Sequence, residues 1–310
     1  MDFTESAYYS LLNALQQQGF SFLTFDEFTK SSYKKIIGLR HDVDALPGNS
    51  LQFARIQSKM GIKGTYYFRI VPESFDEKII REIYSLGHEI GYHYEDLTIA
   101  RQKTKVKRQK AGSAKTFDLH DRKTAGPQDN EHLEKELCSI AIECFKQNLA
   151  KLREIVPVKT ICMHGSPLSK WDSRLLWKYY DYHDFGIVGE PYLDINFDEV
   201  LYLTDTGRRW DGDSVNIRDK SEGGRRKAEG EKRKDCSPSA FSTQPSASFP
   251  RFHSTFDIIR AAEEGKLPDK IMMTFHPQRW TDKPMPWLKE LIWQNTKNVG
   301  KFFLKKVRSR

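Results

Sequence analysis

The chain is predicted to be an α/β protein whose parallel strands either close into a barrel or form a wide doubly wound sheet. The first observation is the alternation of short β-rich runs with helical runs, which begins near residue 35 and resumes after residue 130. The second observation is that five polar residues stand at the ends of predicted strands: Asp42, Asp44, His93, His164 and His276. In both architectures function lies at the carboxyl ends of the strands, which predicts one shared site.

The first part of the chain shows this alternation most clearly. Residues 6–19 have apolar side chains at helical spacing and end at Gly19, which is typical of a helix C-terminus. The elements predicted next are a strand that ends at Asp42, a helix over 50–60, a strand over 64–70, a helix over 76–86 and a strand over 89–94. The later helices are predicted over 130–154, 173–180, 255–264 and 285–307, and the later strands over 158–163, 186–188, 200–203 and 270–275.

Two segments interrupt the alternation. Residues 100–129 are basic and polar, and residues 219–250 are rich in Gly, Ser, Lys, Arg and Pro. That composition predicts two flexible insertions in a single domain that spans residues 1–310. The basic runs 101–123 and 218–235 carry net charges of +7 and +3, so the rest of the chain is nearly neutral although the whole carries +8. The charge pattern therefore does not predict a nucleic-acid partner.

The composition excludes further classes of protein. The chain has 310 residues, of which 38% are hydrophobic, and is long enough to bury a large core. It has no run of about 18 apolar residues, so no membrane span is predicted. The first residues are acidic and polar, so no secretory signal is predicted. The cysteines, Cys138, Cys144, Cys162 and Cys236, lack zinc-finger or CxxC spacing and are expected to be reduced thiols of a cytoplasmic protein.

The acidic pair Asp42 and Asp44 is the most informative feature of the sequence. Side chains alternate along a strand, so the pair is predicted to share one face with Arg40, opposite His41. Two carboxylates on one face repel each other unless a cation, a proton or an arginine compensates them. The arrangement suits one carboxylate that holds a metal and another that acts as a general base, although two solvated carboxylates would give the same pattern.

Histidines mark the ends of three other predicted strands. His93 lies at the end of the 89–94 strand, and His164 follows the 158–163 strand. His276 follows the 270–275 strand, and Pro277 restricts the backbone just past it. Histidine has the pKa that best suits proton transfer near neutral pH, and it is a common metal ligand. Taken alone, His93 is more readily explained as a hydrogen-bonded core residue.

The loop after the 200–203 strand is a candidate for substrate binding. It contains Asp205, Arg209 and Trp210. The arginine and the tryptophan could bind a sugar or a carboxylate, or stack on the surface without a ligand.

The chain resembles the polysaccharide deacetylases of the NodB-homology group, carbohydrate esterase family four in the broad sense. The resemblance lies in RHDVD at residues 40–44, GHEIGYHYE at 87–95, a histidine at a later strand end and HPQRW at 276–280. It covers roughly residues 6–98, 131–218 and 251–307 and omits the two insertions. The closest pattern is that of a cytoplasmic bacterial branch of the group.

The resemblance implies a distorted (β/α)7-type barrel and a divalent metal, usually zinc, held by an aspartate and histidines. It implies that Asp44 and His93 bind this metal. It also implies that Asp42 is the base that activates a water on the metal, and that His276 protonates the leaving amine. The metal would polarise the acyl carbonyl and lower the pKa of its water toward about 7. The implied activity is removal of an acyl group, with acetyl expected, from an N-acylated sugar or a related amide.

The chain departs from the family at the second metal-binding histidine. Leu97 stands four residues after His93, where the family has that histidine. His164 is expected to supply the missing ligand because it ends a neighbouring strand. Glu95, on the same face as His93, is the alternative.

The arginine of the family's RPP motif is missing as well, because residues 165–167 read Gly-Ser-Pro. Arg40 lies on the face of the carboxylates and is expected to orient Asp42 instead. The predicted substrate-binding residues are Arg40 together with the loop residues Asp205, Arg209 and Trp210.

Two other functions stay open from the sequence. Leu97 in a ligand position also fits a degenerate barrel that binds a glycan or a partner without turnover. A hydrolase of another non-peptide C–N bond would use the same residues. If the protein is an enzyme, its expected partner is a small-molecule or glycan substrate.

Overall fold

The computed structural model describes residues 1–110, 127–165, 172–210 and 249–308, in which helices alternate with strands. The helices are α1 (Glu5–Gln17), α2 (Phe25–Lys30), α3 (Pro47–Lys59), α4 (Glu77–Ser85), α5 (Asp96–Lys110), α6 (Pro127–Arg153), α7 (Pro191–Asp194), α8 (Thr255–Glu263) and α9 (Pro284–Arg308). The strands are β1 (Ser21–Leu23), β2 (Ile36–Val43), β3 (Thr65–Phe68), β4 (Glu89–Tyr94), β5 (Ile161–Met163), β6 (Leu201–Thr204) and β7 (Lys270–Phe275). Short 3₁₀ helices cover Ser173–Lys178, Tyr182–Phe185 and Pro277–Arg279.

All seven of these strands form one parallel sheet in the order β5-β4-β3-β2-β7-β6, with β1 paired to β2 outside this path. On β2, residues 36–38 pair with β1 and residues 40–43 pair with β3. The sheet curls into half a barrel, with β5 and β6 at its edges. The predicted parallel α/β architecture is therefore confirmed, and the fold is compatible with a (β/α) barrel.

Local sequence signals set the beginnings of several helices. Before α2, the Thr24 hydroxyl accepts a hydrogen bond from the Glu27 amide, and the Glu27 carboxylate accepts one from the Thr24 amide. Ser254 and Asp257 form the same reciprocal pair before α8. Thr4 caps α1 through the Ala7 amide. These caps supply partners for amide groups that the first turn of a helix leaves without one.

The two faces of β2 have different surroundings. His41 faces the helical layer, where its Nε2 lies 3.0 Å from the Tyr8 hydroxyl and its Nδ1 donates to the Thr65 carbonyl oxygen at 3.1 Å. Burial lowers the pKa of His41 to about 3, so this ring is neutral. Arg40 and Asp42 lie on the opposite face and bond to each other. The alternation expected from strand geometry is present.

The segment 100–129, predicted as a loop, is helical at both ends. Helix α5 extends to Lys110, and α6 begins at Pro127. Leu97 and Ala100 of α5 are buried in the core, and α5 packs against α6. Tertiary packing stabilises a helix that its polar composition does not indicate. Residues 111–126 and most of the second predicted insertion lie outside the described residues.

Two further expectations concern the cysteines and membrane-spanning helices. Cys138, Cys144 and Cys162 are free thiols, as predicted, and all three are buried. Cys236 lies outside the described residues. Within the described ranges, none of the helices combines the length and the apolar character needed to cross a membrane.

Candidate metal centre and active site

Polar side chains from four strand ends meet at the carboxyl edge of the sheet. Asp44 follows β2, His93 lies in β4, His164 follows β5 and His276 follows β7. The Nε2 atoms of His93 and His164 each lie 3.5 Å from Asp44 Oδ1. Burial opposes ionisation of Asp44, but His93 and then His276 hold the pKa of its carboxyl well below the usual value. The structure thus brings the predicted strand-end residues together.

The geometry around Asp44 suits a metal ion. Its Oδ1 is buried, and none of the described residues donates a hydrogen bond to it. A buried carboxylate oxygen without a donor is costly, so it is expected to bind a ligand. Tetrahedral zinc with metal–ligand distances of about 2.1 Å separates its ligands by about 3.4 Å. The two separations of 3.5 Å at Asp44 Oδ1 match that spacing.

In their neutral forms, both histidines are held in the tautomer that metal binding requires. Burial lowers the pKa of His93, but Asp42 and Asp44 outweigh it and raise that pKa, so a metal at Nε2 would replace a proton. His93 Nδ1 lies 2.9 Å from the Cys162 carbonyl oxygen, which accepts a hydrogen bond but cannot donate one. The Nε2 atom of the neutral His93 ring therefore carries the lone pair. His164 Nδ1 lies 3.2 Å from Glu95 Oε2, with the same consequence. One carboxylate oxygen and two imidazole nitrogens form a donor set that suits zinc.

A second group of possible ligand atoms shares His93 with the first. Asp42, His93 and Cys162 also have ligand atoms within 4.8 Å of one another. Asp42 is already bound on both oxygens by Arg40. Burial raises the pKa of the Cys162 thiol well above its usual value, which keeps it protonated. The group of Asp44, His93 and His164 therefore fits a metal better.

Asp42 and Arg40 form a buried bidentate pair beside this group. Arg40 Nε donates to Asp42 Oδ1 at 2.7 Å, and Nη2 donates to Oδ2 at 2.6 Å. Burial alone would raise the pKa of Asp42, but the Arg40 guanidinium outweighs it, and the pKa falls to about 2. Asp42 Oδ2 lies 3.7 Å from His93 Nε2, next to the candidate metal position. Arg40 thus orients Asp42 as expected.

The assignment of Arg40 to the substrate-binding set needs correction. Its side chain is only 2% exposed, so a substrate has little access to it. Its Nη2 also lies 3.3 Å from the Tyr192 hydroxyl, and the guanidinium carbon lies 5.0 Å from the centre of that ring. Arg40 is a buried partner of Asp42.

Asp205, predicted to bind a substrate, is instead a buried partner of His276. Its side chain is fully buried, and its Oδ1 lies 2.5 Å from His276 Nδ1. Trp280 Nε1 donates to Asp205 Oδ2 at 2.6 Å, and Arg279 Nη1 donates to Oδ1 at 3.2 Å. Burial opposes ionisation, but His276 and Arg279 hold the pKa of Asp205 below its usual value. Asp205 therefore orients His276 and leaves Nε2 of that ring available, rather than binding a substrate.

Trp210, which the sequence predicts to bind a substrate, lies in the core. The residue is 4% exposed, and its Nε1 donates to the Thr255 hydroxyl at 3.0 Å. Its ring packs edge-on against Phe275, with ring centres 5.4 Å apart. Arg209 is exposed, and its role in substrate binding stays a prediction.

Two residues in or just after the GHEIGYHYE segment, His88 and Leu97, contribute to packing and hydrogen bonding within the fold rather than to the candidate site. Leu97, at the position where the resemblance implies a histidine ligand, lies in the first turn of α5 and is buried in the apolar core. His88 donates from Nε2 to the Ala54 carbonyl oxygen at 3.0 Å, and its Nδ1 accepts from the Gly64 amide. His88 therefore links β4 to α3, away from the carboxyl edge of the sheet.

Two residues that the sequence patterns did not indicate, Arg69 and Gln278, contact the cluster. Arg69, just after β3, donates from Nη1 to the Asp44 carbonyl oxygen at 3.2 Å and also binds Glu95. Gln278 Nε2 donates to Asp44 Oδ2 at 3.1 Å. Both follow strands, so the strand-end rule applied to the acidic residues and the histidines would have identified them.

No protein-family model, curated protein or solved structure matches the chain. The interpretation of the site therefore rests on its geometry and its chemistry.

Proposed function

We propose that this protein is a metal-dependent hydrolase that removes an acyl group, acetyl in the simplest case, from an N-acylated sugar or a related amide. The observation that carries the proposal is the convergence of Asp44, His93 and His164 around one carboxylate oxygen without a donor. The resemblance to the polysaccharide deacetylases supports the reaction class. The curled parallel sheet is compatible with the (β/α)7-type barrel of that group.

Asp44, His93 and His164 would hold the cation, and zinc suits this set of oxygen and nitrogen donors. When bound, the cation supplies a Lewis acid to the acyl carbonyl and to the attacking water. Gln278 holds the Asp44 carboxylate through Oδ2, which leaves Oδ1 for the cation. The three ligands come from three strands, so the sheet itself sets their separation.

Asp42 takes the proton of the attacking water. Arg40 holds both oxygens of the carboxylate in one orientation, 3.7 Å from His93 at the nearest approach. With a pKa of about 2, Asp42 is ionised throughout the physiological range. So low a pKa also makes it a weak base, so it would take the proton only from a water that a bound cation has made more acidic.

His276 gives a proton to the leaving amine. Asp205 binds its Nδ1 at 2.5 Å, which leaves Nε2 to act on the substrate. A buried carboxylate at Nδ1 orients the ring and stabilises the imidazolium form, as the aspartate does in a serine protease triad. Asp42 and His276 thus divide the acid and base roles.

The test combines metal analysis with acetate release from a panel of N-acetylated amino sugars, both free and nucleotide-linked. The wild-type protein is expected to hold one equivalent of zinc and to release acetate. The Asp44→Ala variant is expected to lose both properties. The Asp42→Asn variant is expected to keep the metal and lose about 10²- to 10⁴-fold in kcat, the range for a general base.

The matched control is Asp269→Asn, which changes a carboxylate that is 49% exposed and lies just before β7, at the opposite edge of the sheet. It should retain metal and activity. A wild-type protein that binds no divalent metal, or an Asp42→Asn variant with full activity, would refute the proposal.

A further inference from the structure

Arg69 and Glu95 complete a ring of contacts around two of the candidate ligands. Arg69 donates from Nε and Nη2 to Glu95 Oε1 at 2.8 and 2.6 Å. The other oxygen, Oε2, lies 3.2 Å from His164 Nδ1. The third nitrogen of Arg69, Nη1, donates to the Asp44 carbonyl oxygen at 3.2 Å. The ring joins the side chain of one ligand to the backbone of another.

The two histidine ligands are supported in different ways. His93 lies inside β4, and a backbone carbonyl of the neighbouring strand binds its Nδ1. His164 lies one residue beyond β5, a strand of three residues, and its amide donates to the Tyr94 carbonyl oxygen. Its ring orientation depends on a side chain, Glu95, rather than on the sheet. A side chain such as Glu95 can orient the His164 ring only if its own conformation is fixed by other contacts.

Arg69 holds Glu95 in the required orientation. Its two donors bind a single oxygen of Glu95, so the second oxygen points to His164. The ion pair is largely shielded from water, with side-chain exposures of 19% and 12%. Hydrogen bonds between charged groups are stronger and geometrically more specific than neutral ones. The same guanidinium also holds the Asp44 backbone, which lies just beyond the end of β2.

We infer that Arg69 and Glu95 are positioning residues that make His164 a metal ligand in a chain where Leu97 occupies the family's ligand position. The inference rests on the proposed function, because it concerns the same metal centre. Glu95 was the alternative to His164 as third ligand. Both of its oxygens already have partners, so it supports the ligand instead.

Substituting Glu95 by glutamine tests the role of its charge at nearly constant shape. Arg69 needs an acceptor, so it will bind the amide oxygen and turn the NH₂ group toward His164. His164 Nδ1 must then accept, and its proton moves to Nε2, where a metal would bind. Outer-shell partners of metal-binding histidines typically contribute about 10- to 100-fold to metal affinity. The expected loss for Glu95→Gln is therefore about 10- to 100-fold.

The affinity for Zn²⁺ is measured by competition with a chromophoric chelator in the wild-type protein, Glu95→Gln, His164→Ala and the double variant. Glu95→Gln should weaken binding in the wild-type background and have no further effect in the His164→Ala background. Equal loss in both backgrounds, or no loss in either, would overturn the inference while the proposed function stands. A wild-type protein without zinc affinity would instead refute the proposed function.

A second measurement needs no metal. The ¹⁵N chemical shifts of the neutral His164 ring report its tautomer, with the proton expected on Nδ1 in the wild-type protein and on Nε2 in Glu95→Gln. The conservative variant Glu95→Asp serves if the glutamine variant does not fold, and it should keep the wild-type tautomer because it retains the charge. A wild-type ring protonated on Nε2 would contradict the inference.

Discussion

Two buried carboxylates in this protein, Asp42 and Asp96, differ in what surrounds them. Asp42 accepts two hydrogen bonds from the Arg40 guanidinium, and its pKa falls to about 2. Asp96, at the start of α5, accepts hydrogen bonds from the Tyr92 hydroxyl and the Asn148 amide, which are neutral, and burial raises its pKa to about 7. Both side chains are almost inaccessible to solvent. The comparison shows that a buried cation, rather than burial itself, keeps the carboxylate beside the candidate metal site ionised.

The largest effect on the free energy of unfolding is expected when Arg40, the cation beside Asp42, is replaced. Arg40→Met leaves Asp42 buried without its partner, and losing one member of a buried ion pair costs about 3–5 kcal/mol. The free energy of unfolding at pH 7, measured by urea denaturation, should fall by that amount. Replacing both residues in Arg40→Met/Asp42→Leu should recover most of the loss, because an apolar pair leaves no buried charge. A double variant as unstable as Arg40→Met would contradict this account.

An intermediate effect on stability is expected at Asp96. The direction of its pH dependence follows from the raised pKa of this carboxyl. The native state keeps the Asp96 proton up to about pH 7, whereas an unfolded chain loses it near pH 4. The stability that Asp96 contributes is therefore fully present below pH 4 and is lost as the pH rises through 7. Asp96→Asn should remove this dependence, on the order of 1–3 kcal/mol between pH 4 and pH 7.

The measurement is the urea midpoint of the wild-type protein and Asp96→Asn at several pH values. Asp269→Asn, an exposed position, should follow the wild-type curve. Identical slopes for the wild-type protein and Asp96→Asn would show that Asp96 is ionised in the native state, and the comparison with Asp42 would fail.

The smallest effect is expected at an exposed ion pair. Arg55 Nη2 lies 2.6 Å from Glu82 Oε1, the same separation as between Arg40 Nη2 and Asp42 Oδ2, but the two side chains are 45% and 41% exposed. Exposed pairs contribute about 0.2–1 kcal/mol, and salt reduces this further. Glu82→Gln should therefore lower the free energy of unfolding by less than about 1 kcal/mol. A loss near that of Arg40→Met would mean that distance rather than burial decides the energy.

Much of the fold could be predicted because its signals are local. The period of the apolar residues distinguishes strands from helices, and the alternation of the two implies a parallel sheet. Two exceptions are the segment after residue 100, which is helical to Lys110 although its composition predicts a loop, and residues 186–188, which are predicted as a strand but lie in none of the seven strands. The helix that reaches Lys110 begins at Asp96, and its first turn includes Leu97, which is buried in a core whose other residues lie far away in the sequence.

The candidate site was predictable where strand geometry decides it. Asp44, His93 and His164 stand at the ends of strands, and the parallel sheet places these ends together. The loop residues show the limit of such reasoning. Asp205 and Trp210 were both predicted to bind substrate, yet one is buried beneath His276 and the other packs against Phe275. Their composition is that of a surface loop, and only the packing of distant elements decides which side chains are covered.

The sequence by itself determined the parallel α/β architecture, the shared face of Arg40 and Asp42, and the strand-end position of the candidate ligands. These follow from the periods of strands and helices, which depend on neighbours in the chain. Only the tertiary structure decided that Arg69 and Glu95 support His164 and that Asp205 supports His276. Each of those contacts joins residues more than 20 positions apart in the sequence. Strand order and side-chain length, rather than any local pattern, determine which residues meet.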